Sequence, residues 1–353
     1  MKKQFKTFLI SRTDNLGDVV LSLPLVTILK NFYPEAHIIF LGKSYTKPIL
    51  QLSEHIDEIL CWDDLKTKPD SELVSFFAEK NIDVAIHVFP DKRIAHIFKM
   101  AKIKMRIGTT HRLFHWTTCN KKVRFSRKKS NLHEAQLNLK LLKPLKLKTK
   151  YSLPELTSLY GIKAPQIAEE EKIVYFPDKK INIDDLTDNN KINLVLHPKT
   201  KGSAREWGME NFGKLIDGLS KEKFKIFISG TKADGELMRD FLYDYQDMVT
   251  DVTGRFTLEQ FIYFLSGTDG LIAASTGPLH IAAMLGKFVV GIYAPMRPIF
   301  PRRWAPLGSN AYFLVNNKPC NKCKNTKNCE CIKDITPERV KEMIDKLLFH
   351  SFL

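Results

Sequence analysis

"RTDNLGDVVLSLPLV", residues 12–26, follows the apolar run Phe5–Ile10 and passes directly into apolar residues at helical spacing. A buried strand that becomes a buried helix within a few residues opens a β-α-β unit, and the fold class depends on whether that unit recurs. It does. Apolar runs at Phe5–Ile10, His37–Leu41, Ile56–Leu60 and Val84–Val88 read as strands, with helical stretches around Val19–Phe32, Tyr45–Leu52 and Ser71–Lys80 between them. A polar, Pro-containing stretch from Tyr151 to about Asn190 interrupts the rhythm, which then resumes. Ile192–Leu196, Phe224–Ile228, Gly270–Ala273 and Phe288–Ile292 read as strands; Met209–Leu219, Lys232–Leu242, Leu258–Leu265 and Pro278–Leu285 read as helices. The pattern predicts an α/β protein with two doubly wound, Rossmann-like domains facing each other across a cleft. The expected boundaries are 1–170, 171–335 and a terminal helix over 336–353, with Thr336 as its cap and Pro337 at its first position.

The 353 residues are 44% hydrophobic and 27% charged, as expected of a soluble globular chain with ample core. The apolar run near the N-terminus is too short for a signal peptide or for the ~20 residues of a membrane span, so a cytoplasmic location is expected. Charge is unevenly placed. Between Asp91 and Lys150 stand eighteen Lys or Arg against two acids, Asp91 and Glu134, so this region carries the whole net charge of +16. Such a field faces nucleic acid, a lipid surface or a phosphorylated small molecule, or it only aids solubility.

Ligands of doubly wound sheets bind beyond the carboxyl ends of the strands, where loops lead into helix N-termini. In the first half Gly17 is expected to turn the backbone tightly, and Asp18 falls in the first turn of the helix, where capping would also account for it. Pro24 marks either a kink or a new helix. In the second half, "HPKTKGSAREW" places Lys199, Thr200, Lys201, Gly202, Ser203 and Arg205 in one loop: cations, a hydroxyl and close backbone approach, as a diphosphate requires. "STGPLHIAAMLG" sets Ser275, Thr276 and Gly277 before a helix that contains His280, an anion site by its free amides. Gly230, Thr231 and Asp234 in "ISGTKADGE" could meet a base or ribose, or form an ordinary capping turn.

In this order and separation, "RTDNLGDVVLSLPLV", "HPKTKGSAREW" and "STGPLHIAAMLG" resemble the signature segments of glycosyltransferase family 9, the ADP-heptose:lipopolysaccharide heptosyltransferases. "RIGTTHRLFHW" and "LHEAQLNLKLL" extend the similarity over nearly the whole chain. The resemblance implies a GT-B fold, an acceptor on the N-terminal domain, a nucleotide-sugar donor on the C-terminal domain, and inverting transfer that requires no metal. It makes Asp18 the catalytic base and places Arg205 at the departing diphosphate, with Ser275, Thr276, Gly277 and His280 at the donor. Ser275 stands where well-known members carry Asp, so that position offers no carboxylate. The basic region then matches an anionic lipopolysaccharide core at the inner membrane surface, with Gly17, Lys92, Arg93, Arg106, His111, Arg112 and Arg127 as acceptor candidates and the enzyme peripheral to that membrane. Nucleic acid has no motif of its own here.

Cys320, Cys323, Cys329 and Cys331 form C-x2-C-x5-C-x-C, which could hold a structural zinc, remain as thiols, or form a disulfide or cluster. The function expected is heptosyl transfer from ADP-heptose or a similar nucleotide sugar. The alternatives are another GT-B nucleotide-sugar enzyme, or a non-catalytic basic protein that binds membrane or nucleic acid.

Overall fold

Six parallel strands form the sheet of the first unit, Met1–Lys163, in the computed structural model. They are β1 (Thr7–Ser11), β2 (His37–Gly42), β3 (Glu58–Cys61), β4 (Val84–His87), β5 (Met105–Thr109) and β6 (Lys121–Val123). Their order is β3-β2-β1-β4-β5-β6, with Leu9 beside Ile39 on one side and Ala85 on the other. Helices cover both faces, so the central strands must be apolar throughout. Phe8, Leu9 and Ile10 are accordingly all fully buried. One layer of the core joins Leu9, Ile39 and Ala85 to Leu73, Phe77, Ile94 and Phe98 from the helices.

The second unit, Ala164–Leu353, opens with the antiparallel pair β7 (Ile173–Tyr175) and β8 (Lys180–Asn182). It then repeats the architecture: β9 (Ile192–His197), β10 (Phe224–Ile228), β11 (Val249–Asp251), β12 (Gly270–Ala274), β13 (Phe288–Tyr293) and β14 (Ala311–Val315), ordered β11-β10-β9-β12-β13-β14 and all parallel. The helix Pro337–His350 places Val340 and Ile344 in the same core as Trp207, Phe212 and Leu196. The structure describes residues 5–127, 130–202, 204–297, 299–316, 320 and 330–350, with side chains to 346. Among these no helix is long and apolar enough to cross a membrane.

All eight strands expected from the sequence are present. Six were not anticipated: the pair β7–β8, which falls in the stretch read as an interruption, and β5, β6, β11 and β14 of the two large sheets. Of the latter four, β6, β11 and β14 lie at sheet edges, where one flank is solvated and no continuous apolar run is needed; β5 is interrupted by Arg106 and Gly108. The first long helix is in fact two, Leu16–Val20 and Leu23–Phe32, broken at Ser22 with Pro24 in the first turn of the second. Proline lacks the amide that an uninterrupted helix would need there. Gly17 lies inside the first helix and is not among the glycines with positive φ, so it does not make the tight turn expected of it. The chain turns instead at Asn15, in an extended conformation with φ −88°.

In each sheet the order reverses between two neighbours, β1 and β4 in the first unit, β9 and β12 in the second. At such a switch point adjacent loops leave in opposite directions and open a crevice at the carboxyl ends.

Candidate active site

In the first unit the crevice is governed by Arg12, the residue after β1, whose side chain is only 2% exposed. A buried guanidinium requires counter-charges, and this one has three. Its Nε lies 2.8 Å from Asp14 Oδ1, its Nη2 pairs with Asp18 Oδ1, and its Nη1 lies 3.4 Å from Glu134 Oε1. Arg127 supports the same group from behind: Nε donates to Glu134 Oε1 at 2.8 Å, and Nη2 donates to Asn138 Oδ1 at 3.0 Å and to the Val88 carbonyl at 3.1 Å. The Asn138 amide donates in turn to the carbonyl of Leu21 (3.1 Å) and to Ser22 Oγ (3.3 Å), at the break between the two helices. The break that Pro24 permits therefore has its own polar partner.

Three carboxylates face two guanidiniums, an excess of one negative charge. The excess falls on Asp14, whose carboxyl is pushed up to about 7, by burial first and then by Asp18 and Glu134, against the pull of Arg12. Arg12 itself is driven still higher than an ordinary guanidinium by the three carboxylates, which outweigh its burial. Across the switch point, burial holds His87 at about 3, so it is neutral at ordinary pH.

Other first-unit candidates divide by position. Lys92 is exposed at the start of the helix Lys92–Met100, just beyond β4; His111 and Arg112 are exposed beyond β5. Arg93 is tied to Asp70 at 2.7 Å and to the carbonyl of Lys68 at 2.7 Å, with its guanidinium over Trp62. Arg106 lies at the amino end of β5, the opposite end from the crevice, and donates to the carbonyls of Thr118 (2.8 Å) and Ile103. The sequence offers it as an acceptor candidate only as one cation of the basic region, where no strand is read. Arg127 is a pillar of the Arg12 network rather than a surface charge.

In the second unit the loop after β9 is bracketed by Gly202 and Gly208, at φ +95° and +101°, conformations that glycine adopts without strain. Glu206 closes the loop, accepting from Lys199 Nζ at 3.0 Å and from the Thr200 amide at 3.2 Å, while Thr200 Oγ1 donates to the Ala204 carbonyl at 3.2 Å. Trp207 fixes its exit: the ring is fully buried and Nε1 donates to the Ile335 carbonyl at 2.6 Å. Arg205 is 9% exposed, with Nη2 3.9 Å from Met296 Sδ. Lys201 is exposed and has no acidic partner among the described residues. Ser203 lies outside the described residues.

After β12, Ser275 and Thr276 lead into the helix Gly277–Met284, in which His280 is 3% exposed. Among the described residues Thr276 Oγ1 is buried without a hydrogen-bond partner, at a helix N-terminus that already favours an anion. Gly230, Thr231 and Asp234 follow β10, where Thr231 and Asp234 form a reciprocal capping box: Asp234 Oδ2 accepts from the Thr231 amide at 2.8 Å, and Thr231 Oγ1 accepts from the Asp234 amide at 3.2 Å. Thr231 Oγ1 and Asp234 Oδ2 are thereby engaged within the turn. Behind it, His197 Nδ1 meets Ser229 Oγ at 3.0 Å, and burial lowers the imidazole to about 4.

Among the described residues no group of three or more His, Cys, Asp or Glu is arranged to hold a metal ion. Cys331 is buried and Cys320 half-buried, while Cys323 and Cys329 lie outside the described residues, so the four-cysteine site falls largely there.

The sequence did not single out Arg12, Asp14, Glu134 or Asn138. One signal was available: Glu134 is the single acid between Lys92 and Lys150, and a carboxylate is buried only where a counter-charge meets it.

Comparison with solved structures defines the fold as GT-B. The family 9 glycosyltransferase of Veillonella parvula superposes with a TM-score of 0.79 at 19% identity over 99% of both chains. The Escherichia coli heptosyltransferase WaaC with ADP-2-deoxy-2-fluoro heptose superposes at 0.67 and 16% identity over 96% of this chain and 99% of that one. The profile of glycosyltransferase family 9 (heptosyltransferase) matches residues 73–333, and the chain belongs to that family. It is a glycosyltransferase. The lipopolysaccharide heptosyltransferase 2 of Salmonella typhimurium is 23% identical to it over 356 residues, covering 94% of this chain and 96% of that protein.

Proposed function

We propose that the protein transfers a heptosyl residue from ADP-heptose, or a similar nucleotide sugar, to the inner core of lipopolysaccharide. The observation that carries this reading is the pairing of two unlike switch points in a family 9 chain: a carboxylate anchored by a buried guanidinium in one unit, a cationic, hydroxyl-bearing loop beside a helix N-terminus in the other. The donor is inferred from the ADP-2-deoxy-2-fluoro heptose named with WaaC, and the acceptor from the name of the Salmonella relative.

In this mechanism Asp18 accepts the proton of an acceptor hydroxyl while that oxygen attacks the anomeric carbon of the donor, and the bond from that carbon to the diphosphate breaks. Attack on the face opposite the diphosphate inverts the configuration. Arg12 orients Asp18 for that transfer, holding the carboxylate through an ion pair that a rigid fork makes directional. The second unit receives the charge that develops on the departing diphosphate. Arg205 and Lys201 neutralise it, and Thr276 Oγ1 with the first amides of the helix Gly277–Met284 donates to its oxygens. These cations supply the charge that a divalent metal would otherwise bring, so the reading expects metal-independent transfer. With phosphate and acidic sugars in the acceptor, Lys92, His111 and Arg112 lie at the carboxyl ends where it would be held, and the inner membrane surface is where it would be met.

A thermal-stability series with ADP, UDP, GDP and CDP tests the donor half, because a ligand stabilises the state it binds. ADP should raise the melting temperature most. Stabilisation by UDP alone would assign a different donor.

A further inference from the structure

Cations not involved in the Arg12 network surround a cavity of about 950 Å³ in the first unit. Lys122 and Arg124 approach it from β6 and the residue beyond, Lys140 and Lys143 from the short helix Lys140–Leu145, and Lys150 from the segment that follows. Among the described residues no carboxylate lines it. Lys122 is partly engaged, donating to the Cys119 carbonyl at 3.1 Å and lying over Trp116. Arg124, Lys140, Lys143 and Lys150 have no acidic partner among the described residues.

Like charges around one concavity repel each other, and nothing in the wall offsets that cost; an anion inside would. Val123, Leu132, Pro144 and the half-buried Tyr151 give the rest of the wall an apolar part, and Thr149 and Gln136 add neutral polar groups. Ammonium groups suit phosphate oxygens, and an apolar, aromatic wall suits the face of a sugar ring. The volume lies in the range of roughly 300–1,000 Å³ usual for small-molecule sites, which favours a compact headgroup over an extended polyanion.

The cavity is also linked to the Arg12 network. On the helix Glu134–Leu139, Glu134 and Asn138 stand one turn apart and face Arg12. Gln136, between them, faces the cavity and braces its wall, donating through Nε2 to the Tyr151 carbonyl at 2.8 Å.

We propose that this cavity is a second anion site, distinct from the Asp18 crevice, that takes a phosphorylated sugar. The inference stands on the cavity itself; under the transferase reading, it is where an anionic part of the acceptor rests.

The test uses the full chain. Glucose 6-phosphate, with glucose as the neutral reference, is titrated by calorimetry into wild type, Lys140→Gln/Lys143→Gln, and a control of equal charge loss in the other unit, Lys221→Gln/Lys223→Gln. Removing two charge-assisted contacts should weaken glucose 6-phosphate at least about tenfold in the cavity variant. The control should bind as wild type, and ADP should bind all three alike. Sedimentation with phosphatidylcholine vesicles, with and without phosphatidylglycerol, separates the sources. Retention that the cavity variant alone loses makes the phosphate a lipid headgroup's; binding of glucose 6-phosphate without retention makes it a soluble ligand's. Equal weakening in both variants, or no measurable binding to wild type, would overturn the proposal. Sugar transfer from ADP-heptose that persists through that result would leave the transferase reading standing.

Discussion

Replacing Arg12 by Lys keeps the charge and removes the fork. The guanidinium now reaches Asp14 at 2.8 Å, Asp18, Glu134 at 3.4 Å and Asn138 at 3.5 Å. An ammonium on a flexible stem reaches one or two of these. Glu134 would keep Arg127 at 2.8 Å, so the loss falls on Asp14 and Asp18. Breaking a buried ion pair outright costs about 3–5 kcal/mol, and retaining one charge should leave about 2–3 kcal/mol of that. For a unit of this size each kcal/mol corresponds to roughly 2–4 °C, so the first-unit transition should fall by about 5–10 °C. Turnover should fall further than stability explains, because the Asp18 carboxylate loses its orientation, while donor affinity holds. Scanning calorimetry, steady-state kinetics and donor titration on one preparation give all three numbers. A melting temperature within about 1 °C of wild type together with unchanged turnover would show that the Arg12 network neither holds the unit together nor serves the reaction.

Asp14 should reveal itself through pH. Its carboxyl is raised above its unfolded value, so the folded state binds the proton more tightly, and stability is lost as pH rises from about 4 through about 7. Asp14→Asn removes that loss: urea titrations should show the variant as the more stable protein at pH 8 and no better than wild type at pH 4, and a wild type with no such slope would contradict the assignment. Arg205→Ala should raise the Michaelis constant for donor and lower turnover together, by about 2–4 kcal/mol in all, with Lys201→Ala weaker. Donor kinetics unaltered by Arg205→Ala would remove that residue from the mechanism. Thr276→Val keeps shape and deletes the buried hydroxyl, so donor affinity should drop several-fold at unchanged melting temperature; tighter donor binding would mean that the hydroxyl faces no ligand.

The central strands were legible because parallel strands covered on both faces must be apolar for their whole length, as Phe8–Ile10 and Leu194–Leu196 are. Edge strands have no such requirement: "KKV" at β6 and "VTD" at β11 carry polar residues where one flank meets water. The loops at the switch points were legible as well, since Gly202 and Gly208 mark the backbone turns and the cations and hydroxyls beside them are close in sequence. The Arg12 network was not. Arg12 and Glu134 lie 122 positions apart, and only the packing of the helix Glu134–Leu139 against the break at Ser22 brings them together. The engagement of Arg127 with Val88 and Asn138 and of Arg106 with the carbonyls of Ile103 and Thr118 was equally hidden. Charge count reveals a field, but only tertiary contacts reveal which charges are already engaged.

The most direct test is the release of ADP from ADP-heptose, with a heptose-free lipopolysaccharide core as acceptor and a chelator present, by wild type and by Asp18→Asn. The substitution preserves size and helix-terminal chemistry but cannot accept the hydroxyl proton. Wild type should release ADP only when the acceptor is present, and the variant should be slower by roughly 10²- to 10⁴-fold while binding ADP normally. Near-normal, acceptor-dependent turnover by Asp18→Asn would place the base elsewhere, and no release by wild type with any lipopolysaccharide acceptor would contradict the account itself.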